Sequence, residues 1–277
     1  MSRRSFHDDE FPSDERGSTD QSYRRKGSLL AEVLHADAEL IVVNKPPVVE
    51  LLATFPDEPS VELQLRRTGH LAADDSATSL YHLDAALSGL AVLVRSADAS
   101  AVLQGQIAAG ELTLTCLALV RAYVSGASGR IDMPLRPHPR GEELLQAQAG
   151  GNLQAVTQWR VRDTFVGFAL VECMPSLAVP NQVRAHLPAA GMPLVVDPPH
   201  GGAESLMLSS FKAGYRPSRR RPEHALIDRP TLHVLRLVFE HPTTHQPLSF
   251  EAELPKDFRA TLHQLDRFGR VPGGKRE

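Results

Sequence analysis

Cysteine is scarce in this 277-residue chain. There are two, Cys116 and Cys173, each in an apolar run and far apart in sequence. Neither belongs to a CxxC or to a Cys/His spacing that suits a metal, so metal and disulfide readings have little support. Buried reduced thiols are the simpler reading. No GxGxxG, P-loop or HExxH occurs, which removes support for nucleotide cofactors and zinc proteolysis, and no cofactor or metal is expected. No stretch of about 18 apolar residues is present, and the N-terminus lacks a signal-peptide pattern, so a soluble, cytoplasmic protein is expected. A net charge of -3 excludes a globally basic nucleic-acid binder. Any RNA contact has to come from a local patch.

What the chain does have is apolar content, at 42% hydrophobic residues. That is ample for a sizeable core. Residues 1–27 hold no Leu, Ile or Val but several charge clusters. Such a segment buries too little surface to offset its ordering entropy and reads as a disordered tail. A single domain over 28–268 and a flexible tail at 269–277 complete the expected organisation.

Within the domain, Ala31–His35 and Glu39–Val43 read as strands, followed by a stiff Asn44-Lys45-Pro46-Pro47 turn. Ser60 caps a short helix over Val61–Arg67, ended by Gly69. Leu90–Val94 is an apolar run that reads as a buried strand. A helix from Ser96 or Asp98 reaches about Ile107, ended by Gly110. Leu112–Val120, extended through Tyr123 and Val124, is a further buried strand. Arg130–Leu135 is short and extended, and Arg136–Gly151, rich in Pro and Gly, reads as a loop. Ala155–Val161 and Phe165–Cys173 read as a hairpin or meander around Asp163-Thr164. Asn181 caps a helix from Gln182 to Ala190, with Pro188 bending or shortening it. Residues 203–228 are irregular and carry the densest basic run, through Arg219-Arg220-Arg221. A hairpin (Thr231–Glu240, Leu248–Leu254) and a helix capped by Asp257 close the domain. Strands come in runs rather than in alternation with helices, which predicts α+β with a mixed, largely antiparallel sheet and flanking helices.

Chemistry concentrates in Leu80-Tyr81-His82-Leu83-Asp84-Ala85-Ala86-Leu87-Ser88-Gly89-Leu90. A lone acid, Asp84, is delivered by a loop onto a rigid strand, a common way to hold a reacting group. On local sequence alone the simpler reading is that Asp84 caps a turn with Ser88-Gly89.

Four collinear stretches resemble the RluA-type RNA pseudouridine synthases. Asp37–Pro46 is similar to the family's opening strand and Asn-Lys-Pro turn. His82–Leu90 is similar to its His-Arg-Leu-Asp-x-x-Thr-Ser-Gly motif. Gln182–Leu187 with Gly191–Asp197 is similar to its Gln-Leu-Arg-x-His helix and following strand. Leu232-His233, Phe250 and Leu254–Phe258 are similar to its closing hairpin. The resemblance spans roughly Leu29 to Phe268. It implies a pseudouridine synthase fold and isomerisation of uridine in ribosomal or transfer RNA, without cofactor or metal. It makes Asp84 the catalytic carboxylate and Arg184 its cationic partner, with Tyr81, His82, Cys116, Asn181 and Gln182 around the target nucleotide. Lys45, Arg219, Arg220 and Arg221 are the expected RNA contacts, and a monomer is expected.

The chain departs from the family at several places. His82 stands where the family has Arg, Tyr81 where it has His, Leu87 where it has Thr, and Cys116 where it has its catalytic Tyr. Ala178-Val179-Pro180-Asn181 replaces a Gly-Arg-x-His loop. These losses frame the alternative, a catalytically impaired RNA-binding protein on the same fold. A scaffold that has left RNA altogether has the sequence pI of about 6.5 and the weak basic patches in its favour.

Overall fold

The structure, a computed structural model, describes residues 30–270 except 56, 57, 73, 122, 123, 125, 140 and 217–221, and only the backbone of 141–143. The expected tail at 1–27, residues 271–277, Tyr123, Arg219, Arg220 and Arg221 lie outside the described residues.

Among the described residues, ten strands form one sheet. They are β1 (Glu32–Ala36), β2 (Leu40–Lys45), β3 (Thr78–Ser79), β4 (Ser88–Val94), β5 (Thr113–Val120), β6 (Ser128–Asp132), β9 (Val156–Phe165), β10 (Phe168–Pro175), β11 (Leu232–Glu240) and β12 (Pro247–Glu251). The order is β1-β2-β4-β11-β5-β10-β9-β6, with β12 on β11 and β3 on β4. Every pair in this sheet is antiparallel apart from β4 and β11. With helices α1 (Val61–Arg67), α2 (Ala97–Ala109), α3 (Pro180–Ala189) and α4 (Lys256–Phe268), this is the mixed, largely antiparallel α+β architecture read from the sequence.

The apolar runs explain the centre. β4 is buried along its whole length, as expected of a strand covered on both faces. Each fully buried Leu or Val in it contributes about 1.5–3 kcal/mol of transfer free energy. α2 begins where Ser96 Oγ accepts the Ala99 N–H at 3.1 Å. It stops at Gly110, whose φ of 73° is the left-handed conformation that glycine adopts without strain.

Four local expectations need correction. Residues 136–151 are not a plain loop. β7 (Leu135–His138) and β8 (Gly141–Ala147) pair there as a separate hairpin. Its apolar positions Leu135, Leu145 and Ala147 pack with Ala155 and Ala185. Tertiary packing thus makes strands from a segment of poor intrinsic β-propensity. The β9–β10 turn falls at Val166-Gly167, where Gly167 takes a φ of 80°, rather than at Asp163-Thr164. α3 starts two residues earlier than expected. Pro180, pre-set for the first helical turn, occupies its start after Val179, so Asn181 lies inside the helix and is not its cap. Asp257 likewise sits in the first turn of α4, after Pro255, and its carboxylate goes to Arg229 instead.

Candidate active site

Asp84 lies in the connection between β3 and β4. Alternate residues of that connection anchor it: Leu83 and Leu87 are buried, and Asp84 and His82 point outward. The turn closes through the Leu87 N–H to the Asp84 carbonyl at 3.0 Å. A second clamp comes from Lys45 at the end of β2. Its side chain is completely buried, and Nζ donates to the carbonyls of Pro46 (3.1 Å), Val49 (2.8 Å), Ala85 (3.0 Å) and Leu87 (2.7 Å). Val48, with a φ of 66° that a β-branched residue rarely adopts, donates its N–H to the same Ala85 carbonyl at 2.7 Å. The Lys45 turn and the Asp84 loop are thus one hydrogen-bonded unit.

α3 delivers the cation. Arg184 is 4% exposed and uses its whole fork. Nε and Nη2 bind the two oxygens of Asp197 at 2.9 and 2.7 Å, a bidentate pair. Nη1 donates to Oδ2 of Asp84 and, at 3.1 Å, to Oδ1 of Asn181. Asn181 Nδ2 stands 3.5 Å from Asp84 Oδ1. His82 Nε2 is 2.6 Å from that same Oδ1. Both oxygens of Asp84 are therefore held, one by Arg184 and one by His82 with Asn181.

Electrostatics follow from these contacts. Burial works to raise the pKa of Asp84, but the His82 hydrogen bond and the Arg184 charge outweigh it and hold the carboxyl below the usual range. Burial likewise works against the Arg184 charge, and Asp197 with Asp84 more than restores it. Asp197, completely buried, is kept ionised by Arg184 and by His200, whose Nδ1 is 3.1 Å away. An ionised carboxylate beside a cleft, oriented on both oxygens, suits nucleophilic or base chemistry. That cleft, about 570 Å³, is lined by Glu50, Leu52, Ser79, His82, Asp84 and Ala86 among others.

Among the residues expected around the site, the structure brings Asp84, Arg184, His82 and Asn181 together. It places four others elsewhere. Tyr81 is a core residue whose phenol donates to the Leu90 carbonyl at 2.8 Å. Cys116 is fully buried on β5, opposite Cys173 on β10, and burial pushes its thiol well above the usual range, so it supplies no thiolate. Gln182 braces the helix: it accepts from Leu177 N–H at 3.0 Å and donates to the Val156 carbonyl (2.8 Å) and Thr157 Oγ1 (2.9 Å). Lys45 has no surface to offer a phosphate, because burial leaves it inside its ring of carbonyls. Sequence reading missed Asp197 as the second partner of Arg184. The signal was available, since Asp197 ends the Gly191–Asp197 stretch.

Among the described residues, one group of side chains is close enough to share an ion: His35, Asp37 and His241. The hydrogen bonds argue against ligation. His241 Nδ1 accepts the N–H groups of Thr243 and Thr244, both at 3.1 Å, so Nε2 carries the proton and donates to Asp37 Oδ2 at 2.9 Å. His35 Nε2 meets that oxygen at 2.6 Å. The trio is a clasp that joins the β1–β2 turn to the β11–β12 turn.

No protein-family model matches the chain. It is similar to the ribosomal large subunit pseudouridine synthase D of Xanthomonas campestris, 31% identical over 251 residues, covering 88% of this chain and 72% of that protein. It is similar to the protein of the same name from Xylella fastidiosa, 30% identical over 240 residues, covering 84% and 69%. Among solved structures, human RNA Pseudouridylate Synthase Domain Containing 4 shares the fold with a TM-score of 0.60 at 19% identity, covering 84% of this chain and 92% of that one. Human RNA Pseudouridylate Synthase Domain Containing 1 gives 0.59 at 20%, covering 83% and 86%.

Proposed function

Since the chain belongs to the RluA-type RNA pseudouridine synthase family, we propose that it isomerises uridine to pseudouridine in a structured RNA, ribosomal or transfer, with Asp84 as its catalytic carboxylate. The observation that carries this reading is the two-sided grip on Asp84. Arg184 and His82 hold an ionised carboxylate on the wall of a cleft, at the position where the family keeps its acid.

The geometry supports an ordered division of labour. Reaching a uridine inside folded RNA requires the base to leave its stack, at a few kcal/mol. Asp84 then acts on the ribose, either attacking C1′ or removing a sugar proton. Arg184 keeps the carboxylate ionised in a poorly solvated site and is itself held by Asp197, so its fork is already oriented when substrate arrives. Asn181 fixes the same pair from the first turn of α3. The catalytic domain is residues 28–268 in this reading, acting as a cytoplasmic monomer. Basic residues 219–221 are the segment proposed to meet RNA phosphates, a sequence-independent and salt-sensitive contact.

The test is a comparison of pseudouridine in total RNA from cells with the protein, without it, and with Asp84→Asn. One or more uridines should stay unmodified in the second and third samples and be modified in the first. Identical maps in all three would sink the proposal.

A further inference from the structure

We propose that His200 is a positioning residue that couples the seating of the β7–β8 hairpin to the orientation of Arg184, an inference that rests on the synthase reading above. Arg184 holds Asp84, Asp197 holds Arg184, and His200 stands behind Asp197. The His200 ring lies between two acceptors on different elements. Its Nδ1 is 3.1 Å from Asp197 Oδ2, and its Nε2 is 3.0 Å from the Leu145 carbonyl on β8.

The local sequence builds this bridge. Two prolines restrict the backbone after Asp197, and Pro198–His200 forms one 3₁₀ turn. The His200 N–H closes it on the Asp197 carbonyl at 3.0 Å, and the Gly202 N–H returns to the same oxygen at 2.9 Å. The His200 side chain is thereby brought back beside the Asp197 carboxylate. The hairpin supplies the other contact for a reason of its own. Leu145 pairs with Pro137 on β7. Proline has no N–H, so the strand partner cannot donate to the Leu145 carbonyl, and His200 does so instead. A carbonyl only accepts, which puts the hydrogen on Nε2.

The ring is enclosed. The side chain is 5% exposed, and His138 on β7 packs against it with ring centroids 5.7 Å apart. His200 is therefore placed to act through Asp197 rather than on the RNA. Its Nδ1 makes a close approach to Oδ2 rather than an aligned hydrogen bond. Oδ2 is also the oxygen that takes Arg184 Nε at 2.9 Å. A shift of the hairpin moves the Leu145 carbonyl, the ring follows, and the change arrives at the oxygen that orients the guanidinium. The same fork holds Asp84 through Nη1. The hairpin thus has a mechanical path to the reacting carboxylate although none of its residues lines the cleft.

The experiment uses total RNA from cells lacking the protein, tritiated at uridine C5, with the full chain in varied excess. It reads the single-turnover release of tritium at saturation and the protein concentration that half-saturates it. His200→Phe keeps a flat ring beside His138 and removes both nitrogens. Its saturating rate should fall by about 10- to 10²-fold, the upper end being what a misplacement of about 1 Å costs. Half-saturation should stay within about twofold of wild type. His200→Gln keeps a side-chain N–H for the Leu145 carbonyl and should recover part of the rate. The decisive comparison is a double-mutant cycle: adding His200→Phe to Arg184→Lys should cost less than about twofold more, because both changes act on one fork. Losses that multiply would overturn the coupling. A wild-type rate in His200→Phe, or weaker half-saturation at an unchanged rate, would overturn the positioning role and leave the synthase reading standing. If urea titration shows that His200→Phe does not fold, His200→Gln decides, and an unchanged rate there counts against the proposal. A wild-type protein that releases no tritium would instead sink the synthase reading and this inference with it.

Discussion

Asp84 and Arg184 are 100 residues apart in the chain and share an ion pair at the wall of the cleft. The pair is lopsided: Arg184 is buried and anchored on Asp197, while the Asp84 carboxylate keeps 22% of its surface. The guanidinium is thus the fixed half, and the acid is presented to substrate from it.

This asymmetry predicts different outcomes for two substitutions. Arg184→Met leaves two carboxylates without their cation, one of them completely buried, and should destabilise the fold by about 3–5 kcal/mol. Arg184→Lys keeps the charge but cannot serve Asp197 bidentately and Asp84 as well. It should fold, with kcat/KM lowered by about 10²-fold. Asp84 has a depressed folded-state pKa, so its ionised form is present above the ordinary aspartate value and lost as pH falls through the lower folded value. In Arg184→Lys the acid limb of the activity profile should therefore move up in pH. Urea unfolding and a pH series of single-turnover rates check both claims.

Lys45 is predicted to matter through the backbone. Its Nζ is shared among four carbonyl oxygens, two of which, Ala85 and Leu87, belong to the Asp84 loop. Lys45→Met fills similar volume but removes the donor these carbonyls share, leaving Ala85 only the Val48 N–H. An unsatisfied buried polar group is worth 1–3 kcal/mol, so a loss of about 3 kcal/mol is expected. The local effect should exceed the global one. Hydrogen exchange at the Val48 and Leu87 amides, which bond to Ala85 and Asp84, should accelerate more than exchange in β5. Uniform acceleration would show Lys45 to be an ordinary core residue.

The Lys45 arrangement also marks where sequence reading stopped. Apolar runs and Gly, Pro and Ser punctuation were enough to find most elements, because α1, α2, β4 and β11 depend on local signals that packing reinforces. Residues 136–151 were misread because strand formation there depends on packing against Ala155 and against Ala185, which is distant in sequence. Asn181 was misassigned as a cap because Pro180 competes for the helix start. The site was legible as a pair of residues through the family resemblance. Its inner layer was not, because burial decides the role of Lys45, Tyr81 and Cys116. A lysine beside two prolines looks like an exposed turn residue until the carbonyls around it are seen.

A buried polar chain behind the Asp84 loop gives a pH prediction. Arg229 holds Asp257 at 2.7 and 2.9 Å, and its Nη1 donates to Ser88 Oγ at 3.3 Å. Ser88 Oγ meets His233 Nδ1 at 3.0 Å, and His233 Nε2 faces the Ala252 carbonyl at 3.4 Å. Burial pulls the His233 pKa down from 6.5 to about 4. The folded protein therefore binds fewer protons here than the unfolded chain between those values. The stability from neutral His233 is complete above pH 6.5 and lost as pH falls towards 4. The loss approaches about 3 kcal/mol. His233→Gln should flatten that segment of the stability curve, measured by urea unfolding at half-unit pH steps. An unchanged slope would place the acid sensitivity in other groups.

Gly89 tests whether the parallel β4–β11 pairing sets the position of the loop before it. Val234 pairs with Gly89, and His233 pairs with Ser88. Gly89 has a φ of 113°, where only glycine is comfortable. A Cβ added there would come within 2.2 Å of the Val234 carbonyl oxygen and 2.6 Å of its nitrogen. Neither is the end of a flexible side chain, so relief requires β4 and β11 to separate. That would disturb Ser88, next to the Leu87 carbonyl that Lys45 holds, and so the base of the Asp84 turn. Gly89→Ala should accordingly cost more than about 4 kcal/mol, among the largest effects of a single methyl group. Gly110→Ala is the control: its φ of 73° is also left-handed, but open space surrounds the added carbon. It should cost only about 1–2 kcal/mol of backbone strain. Equal losses in the two variants would mean that backbone conformation, not the close approach of β11, is what Gly89 provides.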